Sequence, residues 1–428
     1  MRYNGKDIIA LGIRPGPHIR HMLDRANATG VCTYEALSDL LPPPTLALQS
    51  PLDIGMNIHA ETEDEQNNLD AVLKTMRELT KTPVVESASI MPDACPAGPM
   101  GTIPVGGVVA SKHIHPGMHS ADVCCSVMVS VYSDMEPKDV LEQVYAATHF
   151  GPGGRHEHIM SDGLRGLVRG NPITAPHENI ADWHMGTQGD GNHFSFVGRL
   201  KSTGETALVT HHGSRGFGAR VYKAGMVIAE RYRRKLSPAT LKQNAWIPND
   251  TDDFSDYMKA LDIVARWTQD NHAVLHNAPT QMPKTLMWTK HNFVFVRDGM
   301  IYHAKGSTPA WGDDLEAIPL NMAEPVLLVR GLENPTALGF CPHGAGRNYS
   351  RTEHKRRGVA DMAKETEGLD VRFWCGEADM SELPSAYKNA ASVRRDIEAY
   401  GLAKVVDEVL PYGSIMAGDL ETNAPWRK

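Results

Sequence analysis

Four times along this chain a strand-forming run meets a turn with a metal-capable side chain at the junction. The segments are Ser120-Ala121-Asp122-Val123-Cys124-Cys125, Gly189-Asp190-Gly191-Asn192-His193-Phe194, Thr210-His211-His212-Gly213-Ser214-Arg215-Gly216 and Lys290-His291-Asn292. Strand ends are where a rigid scaffold presents functional groups. Packing or a surface position explains any one of these histidines on its own. Four such junctions favour a fold in which separate strand ends converge on one site.

The remaining pattern is α+β. Leu69, Val72, Leu73, Met76 and Leu79 recur with the period of one helix face, behind a capping box of Thr62 and Glu65. Met258, Leu261, Val264 and Ala265 predict a second helix between about 255 and 276. Strand-type runs fall at 103–109, 128–132, 207–210 and 325–329. Phe293-Val294-Phe295-Val296 and Ile301-Tyr302 flank Asp298-Gly299, a hairpin signal. Strands and helices do not alternate regularly, which argues against a doubly wound sheet. Residues 1–50 read as a helical add-on closed by a Leu41-Pro42-Pro43-Pro44 linker, and 51–428 as one larger domain.

Composition narrows the function classes. Of 428 residues, 41% are hydrophobic and 22% charged, enough for a sizeable core. Lys plus Arg number 43 against 51 Asp plus Glu, a net charge of −8, which argues against coating nucleic acid non-specifically. A local basic groove stays compatible with that balance. Arg231–Arg234 with Lys235, and Lys355 with Arg356 and Arg357, read either as an RNA path or as solvated faces. No run approaches the roughly 18 apolar residues of a membrane span, and the first residues lack the apolar core of a signal peptide. The expectation is a soluble, cytoplasmic protein with no membrane partner. Six scattered cysteines point to reduced thiols.

Asp122, Cys125, His193, His211 and His291 together supply one carboxylate, one thiolate and three imidazoles. A thiolate can bridge two cations, so the set can support a two-metal centre of the kind that clamps phosphoryl oxygens. On affinity alone such ligands take Zn²⁺ ahead of Mn²⁺. A fifth segment, Cys341-Pro342-His343-Gly344-Ala345-Gly346-Arg347-Asn348-Tyr349-Ser350-Arg351, combines a histidine, close-approach glycines and two phosphate-binding guanidiniums. A neutral His343 there can attack the α-phosphorus of a nucleotide; a glycine-rich turn with a capping histidine is the plainer reading of the segment alone.

In this order the segments resemble the RtcB family of RNA ligases, from about residue 52 to about 415. Further matches are Met91-Pro92-Asp93, Lys305-Gly306 and Ala386-Tyr387-Lys388. The resemblance implies an RtcB-like α+β fold, with mixed and antiparallel sheets and flanking helices around a central metal cleft. It implies a GTP-dependent ligase joining RNA 3′-phosphate or 2′,3′-cyclic phosphate ends to 5′-hydroxyl ends, in RNA repair or tRNA splicing. Two Mn²⁺ ions would sit on the five ligands, with Cys125 bridging, and His343 would carry the nucleotide. Nucleotide contacts would come from Asn192, Phe194, Asn321, Gly344, Ala345, Gly346, Arg347 and Tyr387. Arg215, Lys305 and Arg351 would meet RNA or nucleotide phosphates, and an archease-like activator is an implied partner. A metal-dependent RNA-end phosphoesterase without nucleotide transfer is the alternative.

The chain departs from the family pattern where the base is read. Phe196 stands where the family has a guanine-reading glutamate, and Pro319-Leu320-Asn321-Met322-Ala323 replaces a Pro-Gly-Ser-Met-Gly stretch. Ala417-Gly418 takes the place of a terminal Lys-Gly, followed by a ten-residue tail, and Cys95 the place of a histidine. Weakened guanine selectivity, or another nucleotide, is the expectation.

Overall fold

The computed structural model describes residues 2–41, 44–155 and 157–420. Pro42 and Pro43 of the expected linker, and residues 421–428 of the expected tail, lie outside them.

The fold is α+β, built on two main sheets. The larger one orders Leu315–Ile318, Val326–Gly331, Ala403–Met416, Phe194–Leu200, Thr206–His212, Ser126–Tyr132 and Lys284–Lys290, all antiparallel neighbours. Asp370–Phe373 adds to Ala403–Met416 in parallel. The first and last strands of that order come into contact, so the sheet curls into a nearly closed barrel. The second sheet orders Ile54–Met56, Val85–Cys95, Val105–Ser111, Met300–Lys305 and Asn292–Arg297. The expected hairpin forms its edge, with Asp298 and Gly299 both at positive φ in the turn.

Both sequence-predicted helices are present. Glu63–Leu79 carries the Thr62/Glu65 capping box and buries Leu69, Val72, Met76 and Leu79 against the second sheet. Asp252–His276 starts at a Thr251 cap and packs Leu261, Val264 and Trp267 into the largest core cluster. At the N-terminus Gly5–Ala10, His18–Thr29 and Tyr34–Leu37 bury Ile8, Met22 and Leu37 among themselves. Beyond the linker, Leu46 N–H donates to Leu236 O, and Ser237 Oγ–H to Leu46 O.

Hydroxyls join the two end strands of the barrel. Thr289 and Thr308 lie 2.6 Å apart through their Oγ1 atoms, and Thr308 donates to Glu316 Oε2 at 2.9 Å. Burial pushes the Glu316 carboxyl up to about 7 from 4.5. The folded state therefore holds this proton more tightly than the unfolded chain does. Its stabilising effect is complete below about pH 4.5 and lost as pH rises through about 7. Glu316→Gln cannot ionise, so it should be more stable than wild type by about 3 kcal/mol at pH 8, with no ionisation-linked gain near pH 4. Urea unfolding at the two pH values checks this.

Candidate active site

The antiparallel order of the large sheet places the ligand residues before any side-chain contact does. Ser126–Tyr132 and Phe194–Leu200 begin, and Thr206–His212 and Lys284–Lys290 end, at one edge of four adjacent strands. Cys125 and His193 immediately precede the first two, His211 lies in the last turn of the third and His291 directly follows the fourth. His291 N–H donates to Cys125 O at 3.0 Å, stitching two of the junctions together. The four separate motifs thus become one cluster.

Cys125 Sγ lies 3.5 Å from His193 Nε2 and 3.2 Å from His211 Nε2, which is 3.1 Å from His291 Nε2. Asp122 Oδ2 is 3.3 Å from His193 Nε2. Two groups of three result, Asp122–Cys125–His193 and Cys125–His211–His291, with the thiol common to both. Nitrogen and sulfur ligands at about 2.0–2.3 Å from a tetrahedral cation stand roughly 3.3–3.7 Å from one another, close to these separations. His193 Nδ1 donates to Gln188 O at 2.6 Å and His211 Nδ1 to Asn192 O at 3.2 Å, which turns each Nε2 toward the cluster. Burial, reinforced by neighbouring histidines, holds His211 and His291 neutral, and burial pushes the Cys125 thiol up. The Cys125 thiol and three imidazole Nε2 atoms face one another, two of them on the neutral His211 and His291 rings. The donor set fits two divalent cations.

Local backbone strain marks the same loops. Ser120, Cys124 and Arg215 are non-glycine residues at positive φ (77°, 59° and 57°). The turn at Cys124 sends that side chain into the core and leaves Cys125 to the cluster. Gly213 is required by contact: a β-carbon there would lie 2.3 Å from the Asp122 carboxylate.

His343 follows the short strand Phe340–Pro342, which pairs with Ser307–Pro309. Its ring centroid is 4.3 Å from that of His291 and 6.1 Å from that of His211. Nδ1 donates to Asp93 Oδ2 at 2.7 Å and to Gly306 O at 2.9 Å, leaving Nε2 as the basic nitrogen. Gly306, at φ +67°, strains any side chain, and a β-carbon there would lie 2.6 Å from Val105 Cγ1 and 3.0 Å from that ring. Lys388 is buried and donates to Pro92 O and Ala94 O, on either side of Asp93. Asp93 itself is fully buried.

A cavity of about 400 Å³ opens between the cluster and His343. Asp122, Cys125, His211 and His291 line it with Asn192, Phe194 and Asn321. So do Lys305, Gly344, Ala345, Gly346, Arg347, Arg351 and Tyr387. His193 belongs to the cluster but not to this wall. Arg215 lies outside the wall, with Nε on Thr187 Oγ1 and Nη2 on Gly151 O. Phe196, buried, also lines the cavity. The basic clusters are paired instead with neighbours: Arg233 and Arg234 with Glu230, Arg231 with Asp253, Arg356 with Glu353, and Arg357 with Glu353 and Asp64. Sequence reasoning left Asp93, Gln188, Glu382 and Ser414 without roles. Only Asp93 carried a signal, as the one ionisable side chain of Met91-Pro92-Asp93.

Among the described residues no helix is long and apolar enough to cross a membrane. The family profile described as tRNA-splicing ligase RtcB matches residues 136–417. Among curated relatives, the tRNA-splicing ligase RtcB of Aeropyrum pernix is 24% identical over 309 residues, 60% of this chain and 64% of that protein. The RNA-splicing ligase RtcB of Escherichia coli K12 is 28% identical over 235 residues, 49% of this chain and 56% of that protein. The tRNA-splicing ligase RtcB of Pyrobaculum aerophilum is 24% identical over 418 residues, 73% and 84% of the two chains. The chain thus spans less than two thirds of the Aeropyrum and Escherichia proteins. A profile match over more than half of its length, together with these relatives, places this chain in the RtcB family.

Proposed function

We propose that the chain joins an RNA 3′-phosphate or 2′,3′-cyclic phosphate end to a 5′-hydroxyl end through a nucleotide carried on His343. The observation that supports this most is the His343 ring, tied through Nδ1 to Asp93 and packed against His291 at the cavity. In this reading Asp122, Cys125 and His193 hold one divalent cation and Cys125, His211 and His291 another, Mn²⁺ or Zn²⁺. Bound there, such ions would supply charge neutralisation at phosphoryl oxygens and an acidified water for opening a cyclic end.

The chain's own groups do the rest. His343 Nε2 attacks the α-phosphorus of a nucleoside triphosphate; a P–N bond forms, the bond to the β-phosphate oxygen breaks and pyrophosphate leaves. The ring gains positive charge in that step, and the Asp93 carboxylate stabilises it. The nucleotide then passes to an oxygen of the RNA 3′-phosphate, and the P–N bond breaks. The 5′-hydroxyl attacks that 3′-phosphorus and expels the nucleoside monophosphate, and the hydroxyl proton passes to water. Asp93→Asn should lower the rate of nucleotidyl transfer by about 10²–10⁴-fold with little change in nucleotide KM; quench-flow measurement of adduct formation reads both.

The base subsite is proposed to be permissive. Phe196 and Ser414 are cross-strand partners, Phe194 and Met416 the next same-face pair, and all four line the cavity. Ser414 Oγ is buried without a partner among the described residues. A hydroxyl donates or accepts equally well, so it meets guanine O6 or adenine N6 alike. ATP and GTP should therefore form the adduct within about tenfold of each other. A rate with GTP more than 100-fold that with ATP would refute this.

The activity itself is tested with Mn²⁺, GTP or ATP, and two RNA strands bearing these ends. The expected product is one joined strand whose junction phosphate comes from the 3′-phosphate. Opening of the cyclic end or phosphate release without joining would instead mark a phosphoesterase. The division near residue 50 belongs to the same proposal, and repeating the assay without residues 1–45 shows whether that segment selects substrate or partner, an archease-like activator included.

A further inference from the structure

Two of the cavity's guanidiniums already have a carboxylate between them. Glu382 ends the turn Met380–Glu382, and its side chain is 1% exposed. Its Oε1 accepts from Arg351 Nε at 2.5 Å; its Oε2 accepts from Arg347 Nη1 at 3.3 Å and from the Tyr387 hydroxyl. Arg347 also donates through Nη2 to Ser381 O, and its guanidinium stands 5.1 Å over the Tyr387 ring. Arg347, Arg351, Glu382 and Tyr387 all line the cavity beside His343.

We infer that Glu382 is a positioning residue, holding Arg347 and Arg351 as a preformed clamp for a phosphate group of the nucleotide. The inference rests on the reading of this cavity as a nucleotide site. Arg351 is gripped through Nε, so its two terminal nitrogens stay out of that bond. One of them would lie 3.0 Å from a β-carbon at Gly191, next to Asn192 in the cavity wall. Arg347 Nε is buried with no partner among the described residues. Donors thus remain for anionic oxygens, in the fork geometry that suits phosphate. Two long cationic side chains four residues apart would otherwise repel each other and lose rotamer freedom on binding. The carboxylate removes both costs in advance. It also fixes the Tyr387 ring through its hydroxyl.

The sign of the effect separates positioning from simple charge. Glu382→Ala and Glu382→Gln each make the site one unit more positive, so attraction by charge alone predicts tighter anion binding. Positioning predicts weaker binding. GTP and inorganic tripolyphosphate are titrated calorimetrically, without metal, into wild type and both variants of the full chain. We expect Glu382→Ala to weaken both by at least about tenfold and Glu382→Gln, which keeps one acceptor oxygen, to recover part of the loss. Adduct formation at saturating nucleotide should stay within about threefold of wild type, a KM effect rather than a kcat effect. Glu382→Gln preserves volume and carries the test should Glu382→Ala fail to fold. Tighter or unchanged binding in the variants, or a lower saturated rate at unchanged affinity, overturns the inference, as does a wild type that binds neither probe. A wild type that binds tripolyphosphate but forms no adduct with any nucleotide overturns the nucleotidyl reading alone.

Discussion

His343→Ala should abolish RNA joining, with a loss of about 10⁴-fold or more, because it removes the imidazole proposed to carry the nucleotide. Among the described residues, the cluster histidines each direct Nε2 at Cys125 or at each other, so none is placed to substitute. Two properties should survive the substitution. Metal content after dialysis should match wild type, since His343 belongs to neither ligand group. Water-dependent opening of a 2′,3′-cyclic phosphate end should also persist, since in the proposed route it needs the cations and not the imidazole. Electrophoretic separation of joined, opened and unreacted strands reads both outcomes in one assay. A variant that still joined strands at a tenth of the wild-type rate would exclude the covalent route.

Cys125→Ala carries the second large effect. Among the described residues Cys125 is the only one shared by the two ligand groups, so its loss should weaken both proposed cation sites together. Removing His193 or His291 touches one group each. Elemental analysis after dialysis should therefore find close to two equivalents of metal in wild type and well under one in Cys125→Ala. His193→Ala and His291→Ala should each keep about one. Joining should fall in Cys125→Ala by about 10³-fold or more, as expected when charge neutralisation at the transferring phosphoryl group is lost. The thiol is buried and protonated in the absence of a cation, so the free protein loses no exposed reactive group and should fold normally.

The cluster of candidate ligands was legible in the sequence because four of its five members sit at or beside a strand end, where side-chain direction follows from the strand itself. Cys125, His193, His211 and His291 needed only the strand order to meet, and antiparallel neighbours put their ends at one edge. The Glu63–Leu79 and Asp252–His276 helices and the Asp298-Gly299 hairpin were legible for a similar reason: period, cap and turn are local. What was not legible depends on contacts between distant segments. Asp93 meets His343 across 250 positions, and Lys388 reaches the backbone beside Asp93 across nearly 300. The Glu382 clamp is of the same kind, since Glu-Leu-Pro in sequence says nothing of two arginines some 30 residues earlier. Arg215 shows the converse. Its place in a His-x-Gly-Ser-Arg-Gly motif suggested a phosphate contact, but positive φ at the start of the Arg215–Leu236 helix turns its guanidinium onto Thr187 and Gly151.

In the proposed route the imidazole held by Asp93 takes up a nucleotide. Intact mass of the full chain after incubation with Mn²⁺ and GTP or ATP tests it most directly. A gain of one nucleoside monophosphate, stable to alkali, lost in mild acid and mapped by fragmentation to His343, is the predicted result. An unchanged mass with every nucleotide, in a protein that holds its metal, would contradict it.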